Sequence, residues 1–124
     1  MKQLAVLATL VIVLGTVRLP RAILADGKPL ASGTYQIRAT DDEPAPAVGQ
    51  SANAERWIEF VKGGKVVRRE VATIISAADM GAIAKGGRPK SNQSRVETLK
   101  GGDYLRVWIN KGETNYLINL PAAK

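Results

Sequence analysis

The segment Glu55–Ser76 constrains the fold of this chain more than any other stretch, because it predicts a long β-hairpin. Its first arm reads ERWIEFV, and its second arm, VVRREVATII, is rich in the β-branched residues that suit strands. Between the arms, Lys62-Gly63-Gly64-Lys65 supplies glycines for the positive-φ positions of a tight turn. The segment therefore predicts an antiparallel sheet.

Side-chain alternation in this hairpin predicts which residues are buried. In the first arm Ile58 and Phe60 share one side, and the opposite side carries Trp57, Glu59 and Val61. The second arm is less regular, because apolar residues occur at both parities: Val66, Val67, Val71, Ala72, Ile74 and Ile75. This irregularity predicts either apolar cover on both faces near the end of the arm or a β-bulge.

Four other segments predict strands by the same period of two residues. They are GTYQIRAT (33–40), SRVETLK (94–100), DYLRVWIN (103–110) and TNYLINL (114–120). The expected buried side chains in three of them are Tyr35, Ile37, Ala39, Leu105, Val107, Ile109, Tyr116, Ile118 and Leu120. Gly101-Gly102 and the segment 110–113 (NKGE) predict two further hairpin turns.

Three segments interrupt the strand pattern. The segment 26–32 (DGKPLAS) reads as an extended lead-in. The segment 41–54 contains three acidic residues, two prolines and a glycine, and predicts a long mobile loop. The segment 76–84 begins with Ser76 and carries Asp79 three residues later, which is typical of a helix start, so a short helix is expected there.

These elements predict a mainly all-β fold in a single domain spanning residues 26–124. It has six antiparallel strands with one short helix between the third and the fourth strand. Several short strands separated by glycine-containing turns favour a small β-barrel or sandwich.

The first 25 residues have the pattern of a signal peptide. Lys2 is followed by the uncharged run 4–17 (LAVLATLVIVLGTV), which Arg18, Pro20 and Arg21 interrupt. Fourteen helical residues span about 21 Å, which is shorter than the roughly 30 Å of a bilayer's hydrocarbon core. We therefore expect export to the periplasm or the extracellular space with cleavage after Ala25, and no transmembrane helix in the mature chain. The alternative is an uncleaved N-terminal anchor.

The composition restricts the chemistry that this chain can perform. It contains no histidine and no cysteine, so nucleophile systems that depend on histidine and thiolate metal sites are excluded. The glycine pairs lack the spacing of phosphate-binding loops. We therefore expect no enzymatic activity, no catalytic residues, no metal site and no cofactor.

Two features indicate an interaction surface. Trp57, Tyr104 and Trp108 are predicted to lie on the outer side of the sheet, where exposed aromatic residues contact partners. Arg88, Lys90 and Arg95 lie in a basic stretch that could bind an anionic surface. The alternatives are a solvated basic loop and a second small core in which the helix or the long loop covers the aromatic residues.

The sequence thus predicts an exported, non-enzymatic β-module that binds a partner or self-associates through an aromatic and basic outer surface. The expected partners are an envelope component, a polysaccharide or a second copy of the chain. Nucleic acid is not expected, because it conflicts with export and because removal of residues 1–25 leaves 15 basic and 11 acidic side chains, a net charge of +4.

Two alternative functions share this fold class. One is a carrier that holds a small apolar ligand inside the barrel, although a six-stranded barrel has little interior space. The other is a binder of oligosaccharides or oligonucleotides, because the order of strands and helix is similar to that of the OB-fold. The latter rests on a fold-level analogy alone.

Overall fold

The computed structural model describes residues 11–42, 44, 55–75 and 89–123. Over these residues the fold is all-β, with nine strands and a 3-10 turn at Lys100–Gly102. The strands are β1 (Val11–Leu19), β2 (Ile23–Ala25), β3 (Lys28–Leu30), β4 (Gly33–Thr40), β5 (Glu55–Lys62), β6 (Lys65–Ile75), β7 (Gln93–Leu99), β8 (Tyr104–Lys111) and β9 (Thr114–Pro121).

Seven of the strands form one antiparallel sheet, with the order β1-β4-β5-β6-β9-β8-β7. The sheet curls into a half-barrel. The curl brings Cα atoms of β1 within 8 Å of both β7 and β8. The remaining strands, β2 and β3, pair with each other as a separate hairpin.

The six strands predicted from Gly33 onward are all present, with ends within one residue of the predicted ones. The predicted turn of the central hairpin is also confirmed, since Lys62 pairs with Lys65 and both intervening glycines have positive φ. This is the backbone twist that two-residue hairpin loops require.

The predicted count of six strands is too low, because β1, β2 and β3 precede them. The lead-in that begins at Asp26 is not extended throughout, since Asp26 and Gly27 both have positive φ and form the turn between β2 and β3. An Asp-Gly pair is a strong hairpin signal, and it accounts for this difference.

The predicted signal peptide overlaps the first two strands. β1 pairs with β4 along its length and carries Leu14, Val17 and Leu19 into the core, while β2 adds Ile23 and Ala25. Cleavage after Ala25 stays a prediction. It would remove all five of these buried side chains from the fold.

The main core lies inside the curl of the sheet. It combines the predicted inward side chains of β4, β5, β8 and β9 with residues of β1 and of the β2–β3 hairpin. The hairpin contributes Ile23, Ala25 and Leu30, which are all buried. Hydrogen bonds connect it to β6: Arg68 Nε donates to the Pro29 carbonyl oxygen, and the Asp26 amide donates to Glu70 Oε1, both at 2.8 Å.

The irregular second arm of the central hairpin contains both features that the sequence predicts as alternatives. The register shifts by one residue where Phe60 pairs with Arg68 but Val61 pairs with Val66, which is a β-bulge at Val67. Farther along β6, Ala72 joins the main core, whereas Ile75 joins a second cluster.

Two predicted segments fall on residues that the structure does not describe. The predicted helix at 76–84 lies outside the described residues, and so does the predicted loop apart from residues 41, 42 and 44. Over the part of the chain that is described, no helix has the length and apolar character needed to cross a membrane.

Candidate functional site

The outer face, defined as the side of the sheet opposite to the main core, carries a stacked pair formed by Trp57 and Arg69. Trp57 lies on β5, where it pairs with Val71, and Arg69 lies two residues before Val71 on β6. Diagonal neighbours in an antiparallel pair are within reach of long side chains. The guanidinium carbon of Arg69 lies 3.9 Å from the centroid of the Trp57 ring, which is cation–π geometry.

Arg69 keeps its positive charge uncompensated on this face. Its cross-strand partner is Glu59, but Oε1 of Glu59 accepts a hydrogen bond from Arg38 Nη2 at 3.1 Å. Within the described part of the chain, no carboxylate lies at ion-pair distance from Arg69. The residue is exposed, so its guanidinium is accessible to an external anion.

A small cleft of about 200 Å³ lies beside this pair, at the bulged end of β6. It contains more cationic than anionic side chains, and its lining residues are Asp26, Lys28, Val66, Val67, Arg68 and Arg69. The stacked pair and this cleft form a basic region with an aromatic component.

Trp108 lies on the same outer face but belongs to a small second core. Its side chain is 0% exposed and packs with Ile75 and Leu117. The indole Nε1 donates a hydrogen bond to Asn115 Oδ1 at 2.8 Å. This burial removes the Trp108 ring from contact with a partner in the present conformation.

Two arginines flank Trp108 and share one carboxylate. The guanidinium carbons of Arg95 and Arg106 lie 5.3 and 5.9 Å from the ring centroid. Glu97 binds both of them, at 3.3 Å to Arg95 Nε and at 2.8 Å to Arg106 Nη2. One carboxylate therefore serves two guanidinium groups in this part of the face.

Two of the predicted surface residues, Trp57 and Trp108, are not neighbours on the sheet. Trp57, Tyr104 and Trp108 share the outer face as predicted, but β6 and β9 lie between the two tryptophans. Three interstrand spacings of about 4.8 Å separate them by roughly 14 Å. Tyr104 is 37% exposed.

The predicted basic residues have three different outcomes. Arg88 lies outside the described residues, Lys90 is exposed, and Arg95 is paired with Glu97. The important basic residue that the sequence did not indicate is Arg69. The Arg68-Arg69 pair in the arm opposite Trp57 indicates that an arginine could contact the indole. The bulge determines which of the two lies on the outer face.

Two larger clefts lie elsewhere on the surface. One of about 540 Å³ is lined by Leu24, Asp103, Tyr104, Pro121 and Ala122. Another of about 370 Å³ adjoins the turn of the central hairpin and is lined by Thr16, Thr34, Gln36, Val61, Lys62, Gly63 and Gly64. Neither contains a cluster of charged groups comparable to that beside Arg69.

The described residues contain no group of three acidic side chains placed to bind a metal ion. One tyrosine has a perturbed pKa: burial raises the pKa of Tyr116 above 10.0, and the positive charge of Arg56 opposes this shift. Tyr116 lies in the main core and therefore does not belong to the outer face.

Comparisons with protein-family models, with curated proteins and with solved structures found no match to this chain.

Proposed function

We propose that this protein is an exported, non-enzymatic β-module that binds an acidic polysaccharide through the Arg69–Trp57 pair. The observation that carries the proposal is the 3.9 Å stack of an exposed guanidinium on a half-buried indole ring. Export remains part of the proposal because of the apolar run 4–17 and its charged flanks.

The stack favours a planar anion as the ligand. A guanidinium presents its N–H donors in a fixed fork that matches a carboxylate, and the indole restricts the side chain before the ligand arrives. A uronic acid residue offers such a carboxylate on a sugar ring with apolar C–H groups. The adjacent cleft also contains the exposed Lys28, which adds positive charge near Arg69.

The non-enzymatic part of the proposal is supported by residue types. The chain has no histidine or cysteine, and two acids of the outer face, Glu59 and Glu97, are bound to arginines. Both carboxylates are therefore engaged by side chains of the protein itself.

A direct test compares binding of a short oligogalacturonate with binding of a neutral glucan oligosaccharide of equal length, by calorimetry at low salt. We expect only the acidic oligosaccharide to bind. Arg69→Gln should weaken binding at least about tenfold, since a charge-assisted hydrogen bond contributes about 1.5–3 kcal/mol. Trp57→Ala should weaken it similarly by releasing the guanidinium from its stack.

The matched control is Lys111→Gln, which removes one exposed positive charge from the turn between β8 and β9. It should change the affinity less than about twofold, which is the effect of net charge alone. Equal losses in Arg69→Gln and Lys111→Gln, or equal binding of both oligosaccharides, would contradict the proposal. Unfolding temperatures of all variants separate a binding defect from misfolding.

The two alternative functions receive less support. An apolar ligand carrier needs interior space, but the β2–β3 hairpin places Ile23, Ala25 and Leu30 inside the curl of the sheet. For the OB-fold analogy, the seven-stranded sheet has more strands than that fold uses. A single-stranded oligonucleotide belongs in the binding assay as a competitor: tight, steeply salt-dependent binding to it would favour the nucleic-acid function instead.

A further inference from the structure

The start of β1 is an exposed apolar sheet edge. Val11, Ile12 and Val13 are 37%, 46% and 45% exposed, although all three pair with β4 in regular register. Consecutive strand residues point to alternate faces of the sheet, so both faces are exposed at this end of β1. Farther along the strand, Leu14, Val17 and Leu19 are buried in the main core.

The backbone of this edge also has hydrogen-bonding capacity left. β1 is the terminal strand in the order of the sheet. Within the described residues it pairs with β4 alone, although the curl of the sheet brings some of its Cα atoms within 8 Å of β7 and β8. In an antiparallel strand, alternate residues direct their N–H and C=O groups away from the paired neighbour. Natural edges are usually blocked by lysine, proline or a bulge. The first charge on β1 is Arg18, and the register shift falls after Val13, so residues 11–13 remain regular and uncharged.

A lipid membrane is a poor occupant for such an edge. The apolar side chains would be compatible with hydrocarbon, but the open row of N–H and C=O groups would lose its water without gaining partners. The occupant that satisfies both the side chains and the backbone is another β-strand.

We propose that the edge formed by Val11–Val13 binds the same edge of a second copy of this chain, in an antiparallel pair around a two-fold axis. Residues 11–13 carry no charge that could attract a charged partner strand. When two copies of this segment pair, no like charges face each other. In this arrangement Ile12 lies opposite Ile12 of the second copy. The pairing joins two seven-stranded sheets into one continuous sheet, with a closed, isologous interface.

This dimer goes beyond the proposed function and does not depend on it. It uses the β1 edge rather than the outer face, and it is measured without any polysaccharide. A failure of polysaccharide binding therefore leaves the dimer standing, whereas cleavage after Ala25 during export would remove Val11–Val13 and with them the dimer interface.

The first test is sedimentation velocity of the full chain, with its intact mass verified, over a range of protein concentrations. We expect a concentration-dependent dimer in the wild type. Ile12→Lys places two like charges opposite each other and should raise the dimer dissociation constant at least about tenfold. The control is Val66→Lys, at a site that is 47% exposed on the central hairpin; it should change the constant less than about twofold.

The second test uses the absence of cysteine from the chain. Opposed residues in an antiparallel pair have Cα atoms about 4.5–5.5 Å apart, which a disulfide can bridge. Under mild oxidation, Ile12→Cys should therefore form a covalent dimer much faster than Val66→Cys. Its unfolding temperature should match that of the wild type, since residue 12 is exposed.

Three outcomes would overturn the proposal. One is a wild type that stays monomeric at all concentrations. Another is equal crosslinking of the two cysteine variants. The last is a monomeric wild type that floats with phosphatidylcholine vesicles while Ile12→Lys does not, which would assign the edge to a lipid surface.

Discussion

Trp108 shows how one side chain can stabilise a sheet on the side away from its main core. The ring is fully buried, its Nε1 is hydrogen-bonded to Asn115, and Leu117 and Ile75 pack against it. Asn115 is itself buried, so its Oδ1 depends on the indole for a partner. An aromatic residue predicted to contact a ligand therefore has a structural role in this conformation.

We predict that Trp108→Phe lowers the free energy of unfolding by about 2–4 kcal/mol. The substitution removes buried volume and leaves Asn115 Oδ1 without its donor. Urea unfolding measures the change, with Trp57→Phe as the control, because that ring is half-buried and should lose less than about 1 kcal/mol. Equal losses at both positions would show that Trp108 is not buried as described.

Tyr116 gives the stability a dependence on alkaline pH. Burial raises its pKa in the folded state above the unfolded value of 10.0. Below pH 10 both states are protonated and the group contributes nothing to the pH dependence. Above pH 10 the unfolded state ionises first and binds fewer protons, so the folded state loses stability as pH rises toward the folded pKa.

We therefore predict that Tyr116→Phe flattens the decline of stability between pH 9.5 and 11, which urea titrations at several pH values will measure. The exposed Tyr104 provides the control, and Tyr104→Phe should retain the wild-type decline. A Tyr116→Phe curve parallel to that of the wild type would contradict the assignment.

Among the elements, β1 has the greatest consequence for the fold, because it is both a sheet strand and part of the predicted signal peptide. Leu19 is 0% exposed and packs in the main core, while its neighbour Arg18 is exposed. Substitution of Leu19 therefore tests the burial of β1 in the core, and substitution of Arg18 is the matched control on its exposed side.

We predict that Leu19→Ala destabilises the full chain by about 2–5 kcal/mol, as expected for a large core side chain, whereas Arg18→Ala stays within about 0.5 kcal/mol of the wild type. Chemical denaturation gives both values. The same pair of variants, isolated after export, tests processing: if cleavage occurs after Ala25, neither substitution is present in the mature chain and both proteins unfold like the wild type.

The sequence was sufficient for the strands from Gly33 onward, because their alternation and their glycine turns agree with each other. It was insufficient for β1, since an uncharged apolar run such as 4–17 is compatible both with a signal peptide and with a strand. The Asp26-Gly27 pair is a recognisable turn signal. It did not lead to a predicted hairpin, because the residues before it were assigned to the leader.

The candidate site was only partly predictable for a geometric reason. Without the bulge at Val67, the hairpin register would place Arg68 on the outer face, diagonal to Trp57. The bulge shifts the pairing by one residue, which moves Arg69 to that face and turns Arg68 toward the β2–β3 hairpin. A one-residue irregularity thus decides which arginine stacks on the indole, and the irregular alternation of β6 indicates a bulge without giving its position.

At the scale of the whole molecule, β2 contacts the residues that directly follow β9. Ile23 forms an isolated bridge with Ala122, and the Ala123 amide donates to the Ala22 carbonyl oxygen at 3.1 Å. Arg21 donates to the Gly102 carbonyl oxygen at 2.9 Å. These contacts hold β2 against β9 and connect segments about a hundred residues apart in the chain.

This connection determines when the N-terminal segment can be buried during synthesis. The partners of Ala22 and Ile23 emerge from the ribosome only after β9 has been made, and forming contacts between such distant residues carries a large loop-closure cost. Until then the apolar run has no completed core to enter, so it remains accessible on the nascent chain. A factor that recognises apolar segments can bind it during that interval, even though residues of the same run, such as Leu14 and Val17, pack in the main core once folding is complete.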